Sequence, residues 1–151
     1  MNDMRNLTFA MLSLVLSVSA NSQHSPDKCL ILASVLNQEQ VKSYFELSFK
    51  NDTFILIDRM NWFKGLCPSF HVGTSSIQIV NDPVNRYRAS HQDPYFAFKN
   101  ECQTLLLEEY TSHGELFYLT ILRPCKNLAI EAVVKKHKKQ LKVVSIKKYA
   151  L

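Results

Sequence analysis

Apolar and polar residues alternate along much of the chain from residue 41 onward. In residues 41–49 every second side chain is apolar or small, and those between them are mostly polar. The residues on the apolar side are Val41, Ser43, Phe45, Leu47 and Phe49. This period of two predicts a strand with one face in the core. A turn cluster at residues 50–52 and a second apolar run at residues 53–60 predict that the strand forms a hairpin with the next one.

Five further segments have the composition of short strands. They lie at residues 67–72, 76–80, 95–99, 104–110 and 116–122. Ser112, His113 and Gly114 supply the turn between the last two segments. Turn signals at intervals of about eight to twelve residues are typical of an antiparallel β-sandwich or barrel. The chain is therefore predicted to be mostly β.

The period changes after Asn127, which is a good residue for a helix N-cap. Glu131 follows near the first turn, and the apolar residues after Asn127 fall at helical spacing. The residues at this spacing are Ile130, Val133, Val134, His137 and Leu141. The pattern predicts one amphipathic helix, followed by a short final strand at residues 143–149. Such a helix would bury its apolar face on the outside of the β-structure.

The N-terminal segment has the pattern of an export signal. Arg5 precedes an apolar stretch at residues 7–18, and small residues follow at 19–22. A membrane span needs roughly 20 apolar residues, so this stretch is too short to cross a bilayer. We expect residues 1–20 to be a signal peptide, cleaved after Ala20 or Ser22. The mature domain, residues 23–151, is then expected to be secreted and extracellular.

The mature chain keeps four cysteines, at Cys29, Cys67, Cys102 and Cys125. An even number in an exported chain predicts two disulfides, and three pairings are open. No two of the cysteines lie within four residues of each other, so their spacing does not fit a zinc site. Asn51 begins an Asn-Asp-Thr triplet and is a predicted N-glycosylation site, which would have to be exposed.

The formal net charge is +5, with a pI of about 9.0, and much of it comes from lysines near the C-terminus. Seven lysines lie there, at Lys135, Lys136, Lys138, Lys139, Lys142, Lys147 and Lys148. A nucleic-acid surface would combine such charge with interleaved aromatic residues, so no nucleic-acid partner is expected. The simplest interpretation is a solvated helix face, and the alternative is contact with heparin or an anionic membrane.

Enzymatic signatures are missing from the sequence. The five histidines do not pair with a carboxylate or a second histidine at ligand spacing, so no metal or cofactor is predicted. No Ser-His-Asp order, phosphate loop or paired-carboxylate motif occurs. The even cysteine count also argues against a free catalytic thiolate. No catalytic residue is therefore predicted, and the protein is expected not to be an enzyme.

The order of hairpins and a late helix resembles the lipocalins. Residues 32–34 and 37–39 look like the end of a lipocalin first strand and its entrance loop. The strand ending in Cys67 is similar to the α-1-acid glycoprotein branch of that family, and the segments 102–111 and 117–124 are the most lipocalin-like part of the chain. The resemblance implies an eight-stranded antiparallel up-and-down barrel with the helix packed outside. The Gly-x-Trp signature that opens the family's first strand is missing, and the one tryptophan, Trp62, lies elsewhere.

The resemblance also implies a carrier of small apolar ligands such as lipids, steroids or amine drugs, held inside the barrel. An eight-stranded barrel has room either for its own side chains or for one small ligand. The family pattern places Phe45, Leu47 and Phe49 inside the barrel. The remaining expected ligand-binding residues are Leu56, Phe63, Phe98, Leu107, Tyr118 and Thr120. Arg123 matches an arginine that often follows the family's last hairpin.

A second function fits the same sequence. A secreted, disulfide-linked β-domain with a filled core would suit an immune-modulating or receptor-binding protein, with a cell-surface receptor as its partner. In both cases the protein is expected to be a monomer. The two functions differ in whether apolar ligands bind the folded chain.

Overall fold

The computed structural model describes residues 26–47, 51–63, 66–67, 69–81, 98 and 100–151. The predicted signal peptide and its cleavage site lie outside the described residues, and so does Phe49. Two helices and seven strands are described. The helices are α1 (Pro26–Leu36) and α2 (Glu39–Phe45). The strands are β1 (Thr53–Asp58), β2 (Ser69–Val72), β3 (Ser75–Asn81), β4 (Thr104–His113), β5 (Leu116–Arg123), β6 (Leu128–His137) and β7 (Gln140–Ala150).

The seven strands form one mixed sheet in the order β2-β3-β1-β4-β5-β6-β7. Strands β4 to β7 form an antiparallel meander, and β2 and β3 form a hairpin. Strand β1 runs parallel to both of its neighbours, β3 and β4. The mostly β prediction is confirmed, but the eight-stranded antiparallel up-and-down barrel is wrong. In that topology each strand pairs with the next in sequence, whereas β1 pairs with β3 and β4 across longer connections.

The sheet curls into a half-barrel. Helix α1 contacts both edge strands, β2 and β7, which requires the sheet to wrap around the helix. Two β-bulges contribute to the bending, one in β4 and one in β7. We call the face that packs on the helices the inner face and the opposite one the outer face.

The helices occupy the segment that was expected to supply the first two strands. Helix α1 spans residues 32–34, and α2 spans most of residues 41–49, so both strand predictions are wrong. Val41 and Phe45 are four residues apart and fit a helical period as well as a strand period. Ser43, which a strand would place beside them, is exposed. The left-handed backbone of Glu46 (φ 52°) ends α2.

The predicted C-terminal helix is also wrong, because residues 128–137 form β6, paired with β5 and β7 along its length. Asn127 has φ 63° and follows a 3₁₀ turn at Pro124–Lys126, so it is not a helix N-cap. Ile130, Ala132 and Val134 alternate onto the inner face and are buried. The predicted final strand, residues 143–149, lies within β7.

The predicted strands between residues 53 and 122 are confirmed where the structure describes them. Strands β1, β2 and β3 fall within or close to the predicted segments, and β4 and β5 form the predicted hairpin. Gly114 has φ 61° in the turn of this hairpin, a conformation that glycine adopts without strain. The predicted strand at 95–99 lies outside the described residues except for Phe98.

Apolar side chains pack on both faces of the sheet. The main core lies between the helices and the inner face, and it includes Ile31, Leu32, Phe54 and Phe63. A smaller cluster lies on the outer face. Its buried members are Ile57, Phe98, Leu106, Leu122 and Ala129.

Both predicted disulfides form. Cys29–Cys67 joins α1 to the segment before β2, with a Cα–Cα distance of 5.7 Å. Cys102–Cys125 joins the segment before β4 to the 3₁₀ turn after β5, at 5.0 Å. Two disulfides are consistent with an oxidising compartment. Among the helices in the described part of the chain, none has the length and hydropathy of a membrane span.

Candidate ligand-binding groove

The structure divides the predicted ligand-binding residues between the core and the outer face. Five of them lie in the main core, at 0–1% exposure: Phe45, Leu47, Leu56, Phe63 and Leu107. A side chain with no exposed surface borders no space as large as a water molecule, so the four at 0% pack against other side chains. Phe98 lies in the outer-face cluster. That these residues hold a ligand stays a prediction.

Tyr118 and Thr120 lie together on the outer face and line a groove of about 530 Å³ across β4 to β7. We call it the β4–β7 groove. Volumes of about 300–1,000 Å³ are typical of small-molecule sites. The other lining residues are Glu109, Thr111, His113, Leu119, Glu131, Ala132, Val133, Ser145 and Lys147. The groove thus combines charged groups with aromatic and aliphatic surface.

Strand register places four polar residues in one row across the groove. Glu109 pairs with Thr120, Thr120 with Glu131, and Glu131 with Lys147. Neighbouring strands lie about 4.8 Å apart, so the two glutamates are separated by two strand spacings, with the threonine between them. The Thr120 hydroxyl donates a hydrogen bond of 3.5 Å to Glu109.

The next row supplies the less polar side of the groove. Thr111 pairs with Tyr118, Tyr118 with Val133, and Val133 with Ser145. The His113 ring lies edge-on to the Tyr118 ring, with 5.8 Å between the centroids. The tyrosine ring and the valine therefore give an apolar surface beside the two carboxylates.

Two β-bulges determine which residues face the groove. In β4 the register shifts between Leu107, which faces the core, and Glu109. Strict alternation would turn both to the same face, but the extra residue Glu108 turns Glu109 outward. In β7 the register shifts between Val143 and Ser145, and the extra residue is Val144. The second bulge places Ser145 and Lys147 on the outer face.

The bulge residue Glu108 forms an ion pair with Arg59 at the end of β1. Its Oε2 atom is buried and accepts no hydrogen bond from the residues that the structure describes. The ion pair holds the extra residue against the neighbouring strand. It therefore supports the conformation that presents Glu109 to the groove.

The charges at the groove produce a negative local potential. Tyr149, on β7 beside the row of polar residues, has a raised pKa. Burial is the largest cause, followed by the negative charge of Glu131, its hydrogen bond with the phenol, and the charge of Glu109. Lys147 lies opposite Glu131, but its ammonium group forms no ion pair within 4.0 Å among the described residues. Two carboxylates and one ammonium leave the lining with a net negative charge.

This arrangement suits a small molecule with a cationic group and an apolar part. Carboxylates bind an ammonium group through charge-assisted hydrogen bonds, and aromatic and aliphatic side chains bury apolar surface. In the described part of the chain, no three histidine, cysteine or carboxylate side chains are arranged to hold a metal ion. Asn51, the predicted glycosylation site, is exposed in the segment before β1 and is not one of the lining residues.

Tyr118 and Thr120 were expected inside a closed barrel and instead line the groove on the outer face, whose charged residues the sequence analysis did not select. Glu131 was assigned to a helix, and Glu109 follows a bulge that reverses the alternation of β4. If residues 128–137 are read as a strand that forms a hairpin with residues 116–122, Glu131 becomes the neighbour of Thr120 on the same face of the sheet. No family model, curated protein or solved structure matches this chain, so the resemblance to lipocalins stays a prediction.

Proposed function

We propose that the protein is a secreted, non-enzymatic carrier of small amphiphilic molecules that bear a protonated amine. The ligand lies in the β4–β7 groove, on the outer face of the half-barrel. This differs from the site that the resemblance implied, which was the interior of a closed barrel. Amine drugs were among the ligand classes expected for such a carrier.

The observation that carries the proposal is the row formed by Glu109, Thr120 and Glu131. The two carboxylates flank a hydroxyl on one face of the sheet. Burial is the largest cause of the raised pKa of Tyr149, and the charges of both carboxylates raise it further. A ligand ammonium group placed between them gains two charge-assisted contacts. Since the groove is open to water, each contact is worth about 1 kcal/mol or less, as in exposed ion pairs.

Affinity comes mainly from the apolar part of the ligand, which packs on Tyr118 and Val133. Burial stabilises by about 25 cal/mol per Å² of apolar surface, before the costs of ordering the ligand are subtracted. The carboxylates then select cations over anions and neutral molecules. Export follows from the predicted signal peptide, and the two disulfides support it.

A second candidate function is an interaction module that binds a cell-surface receptor. The tightly packed core favours it, since Phe45, Leu56 and Leu107 are completely buried between the helices and the sheet. A module of this kind needs no ligand groove. The two functions therefore differ in whether a small molecule binds with a defined stoichiometry.

Calorimetric titration with three probes of equal chain length tests the proposal. Decylamine, decanol and decanoate share a ten-carbon tail and differ in charge at pH 7. We expect decylamine to bind at one site and decanoate to bind at least about tenfold more weakly, a difference of roughly 1.4 kcal/mol. Equal affinities for the three probes, or no binding of any, would contradict the proposal. The absence of binding would favour the receptor-binding module.

Matched variants assign the binding to the groove. Glu109→Gln and Glu131→Gln should each weaken decylamine binding about threefold to fivefold and leave decanol binding unchanged. Glu39→Gln is the control, because Glu39 is an exposed carboxylate at the start of α2. If Glu39→Gln weakened decylamine binding as much as the groove variants, the selectivity would come from the net charge of the protein and not from the groove.

A further inference from the structure

We propose that the end of the β6–β7 hairpin binds sulfated polysaccharide chains of the heparin type. The surface consists of Lys135, Lys138, Lys139 and Lys142, and we call it the lysine tip. It is separate from the proposed amine-binding function, because none of the four lysines lines the β4–β7 groove. The proposal rests on the geometry of the hairpin and on the lack of ion pairs to these lysines among the residues that the structure describes.

The hairpin concentrates the four charges at one end of the sheet. Lys135 on β6 pairs directly with Lys142 on β7, so both side chains lie on the outer face. Lys138 and Lys139 form the turn between His137 and Gln140. All four lysines are exposed. Residues 135–142 contain no carboxylate.

None of the four ammonium groups forms an ion pair within 4.0 Å among the residues that the structure describes. Like charges directly opposite each other on neighbouring strands destabilise the pairing. Lys138 also has φ 56°, in the left-handed region where glycine or asparagine is favoured. The hairpin thus carries lysines at positions that do not favour its own stability, and an anionic partner would relieve the repulsion.

Protection of an edge strand explains only part of this pattern. Lysines on an exposed edge prevent pairing with other chains, and β7 is an edge strand of the sheet. That role accounts for Lys142. Lys135 lies on β6, which is paired on both sides, and Lys138 and Lys139 lie in the turn. Three of the four lysines therefore do not protect the edge.

The composition of the tip favours a polysaccharide over a membrane surface. Peripheral membrane binding combines basic residues with apolar side chains that enter the bilayer. The exposed large apolar residues of the described chain include none between 135 and 142. A sulfated chain needs only a dense set of cations and is met outside the cell, where the protein is predicted to be exported.

Heparin binding by two charge-matched variants tests the proposal. The tip variant carries Lys135→Gln, Lys138→Gln and Lys139→Gln. The control carries Lys42→Gln, Lys126→Gln and Lys148→Gln, which remove the same charge from other places. Calorimetry at about 0.15 M salt should show at least about tenfold weaker heparin binding for the tip variant. The control should stay within about twofold of the unmodified protein.

Equal losses in both variants would overturn the proposal, because heparin would then be responding to net charge alone. Unchanged affinity in the tip variant would overturn it as well. Binding of desulfated heparin as tight as that of heparin would contradict the requirement for sulfate. Binding to vesicles with about 30% phosphatidylserine is measured in parallel. If the protein bound these vesicles more tightly than heparin, and the tip variant lost that binding, the partner of the lysine tip would be a membrane and the proposal would be overturned.

A single substitution separates loss of charge from loss of folding. Lys138→Asn removes one cation and places a residue that tolerates φ > 0 at this turn, so the thermal midpoint should stay constant or rise. Heparin affinity should nevertheless fall about twofold to threefold. A variant with unchanged heparin affinity would contradict a direct role of the lysine tip.

Discussion

Arg123, at the end of β5, is a buried cation whose removal should strongly destabilise the fold. It is 5% exposed. Its guanidinium donates to the Cys102 carbonyl from Nε and Nη2, at 3.3 and 3.0 Å, and to the Phe45 carbonyl from Nη1. The group also lies over the Phe54 ring, 5.3 Å from its centroid. Arg123 therefore connects β5 to the end of α2 and to the segment before β4.

The magnitude follows from these contacts. Hydrogen bonds from a charged donor contribute about 1.5–3 kcal/mol each, and two carbonyls lose their donor when Arg123 is replaced. Part of this loss is offset, because burial of the charge is itself unfavourable. Burial lowers the pKa of Arg123 despite the opposing charges of Glu46 and Asp52. We expect Arg123→Met to cost about 3 kcal/mol, within the range for removing one side of a buried polar contact.

Urea unfolding with both disulfides intact measures this cost, with Trp62 fluorescence as the signal. For a domain of this size, 3 kcal/mol corresponds to a fall of roughly 12 °C in Tm. Lys126→Met is the matched control, because Lys126 also contacts Glu46, at 3.1 Å, but is 43% exposed. The control should cost about 0.5 kcal/mol or less. A cost below about 1 kcal/mol for Arg123→Met would refute the assignment of Arg123 as a structural cation.

Three further predictions concern a titration, a turn and the disulfides. The phenol of Tyr149 should titrate above its ordinary pKa of 10.0. Its contribution to the free energy of unfolding should be fully present below about pH 10 and should be lost as the pH rises through the pKa of the folded state. Absorbance at 295 nm should show Glu131→Gln shifting this titration to lower pH, and no shift would contradict the contact. Gly114→Ala should cost about 1 kcal/mol in urea unfolding because φ is +61°, although open space surrounds the position; a neutral result would contradict the turn geometry. Replacing Cys102 and Cys125 by serine should cost about 3.5 kcal/mol by the chain-entropy estimate for a separation of 23 residues, and an unchanged urea midpoint would contradict it.

The β4–β5 hairpin was predictable because local signals agree with its tertiary setting. Residues 104–110 and 116–122 are rich in apolar side chains, and Gly114 marks the turn. The disulfides were predictable in number from the even count of cysteines. Their pairing was not, because it depends on the path of the chain through the sheet.

The strand predicted at residues 41–49 and the helix predicted after Asn127 are wrong for a common reason. Short apolar patterns fit the period of a helix and the period of a strand equally well. Val41 and Phe45 match both a strand and a helix, and Ile130 and Val134 do so as well. In the first segment the helix is selected by packing against the inner face. In the second the β-branched residues of β6 pair with β5 on one side and β7 on the other. Tertiary packing settles the first case and strand pairing the second, and local sequence carries little information about either.

The groove was only partly predictable because it depends on β-bulges. Tyr118 and Thr120 lie on a regular strand, so alternation places them on one face, but that face was expected inside a closed barrel and is the outer face of the sheet. Glu109 and Lys147 follow bulges that reverse the facing of β4 and β7, and no residue in the sequence marks the extra positions. The parallel pairing of β1 with β3 and β4 is likewise set by distant contacts.

Amide chemical shifts recorded during a decylamine titration test most directly where a small molecule binds. We expect saturable shifts at Glu109, Tyr118, Glu131 and their neighbours on β4 to β7, with small changes at the core residues Leu56 and Leu107. Shifts centred on Leu56 and Leu107, with the outer face unchanged, would mean that the ligand enters between the helices and the sheet. That result would contradict the location of the site in the β4–β7 groove.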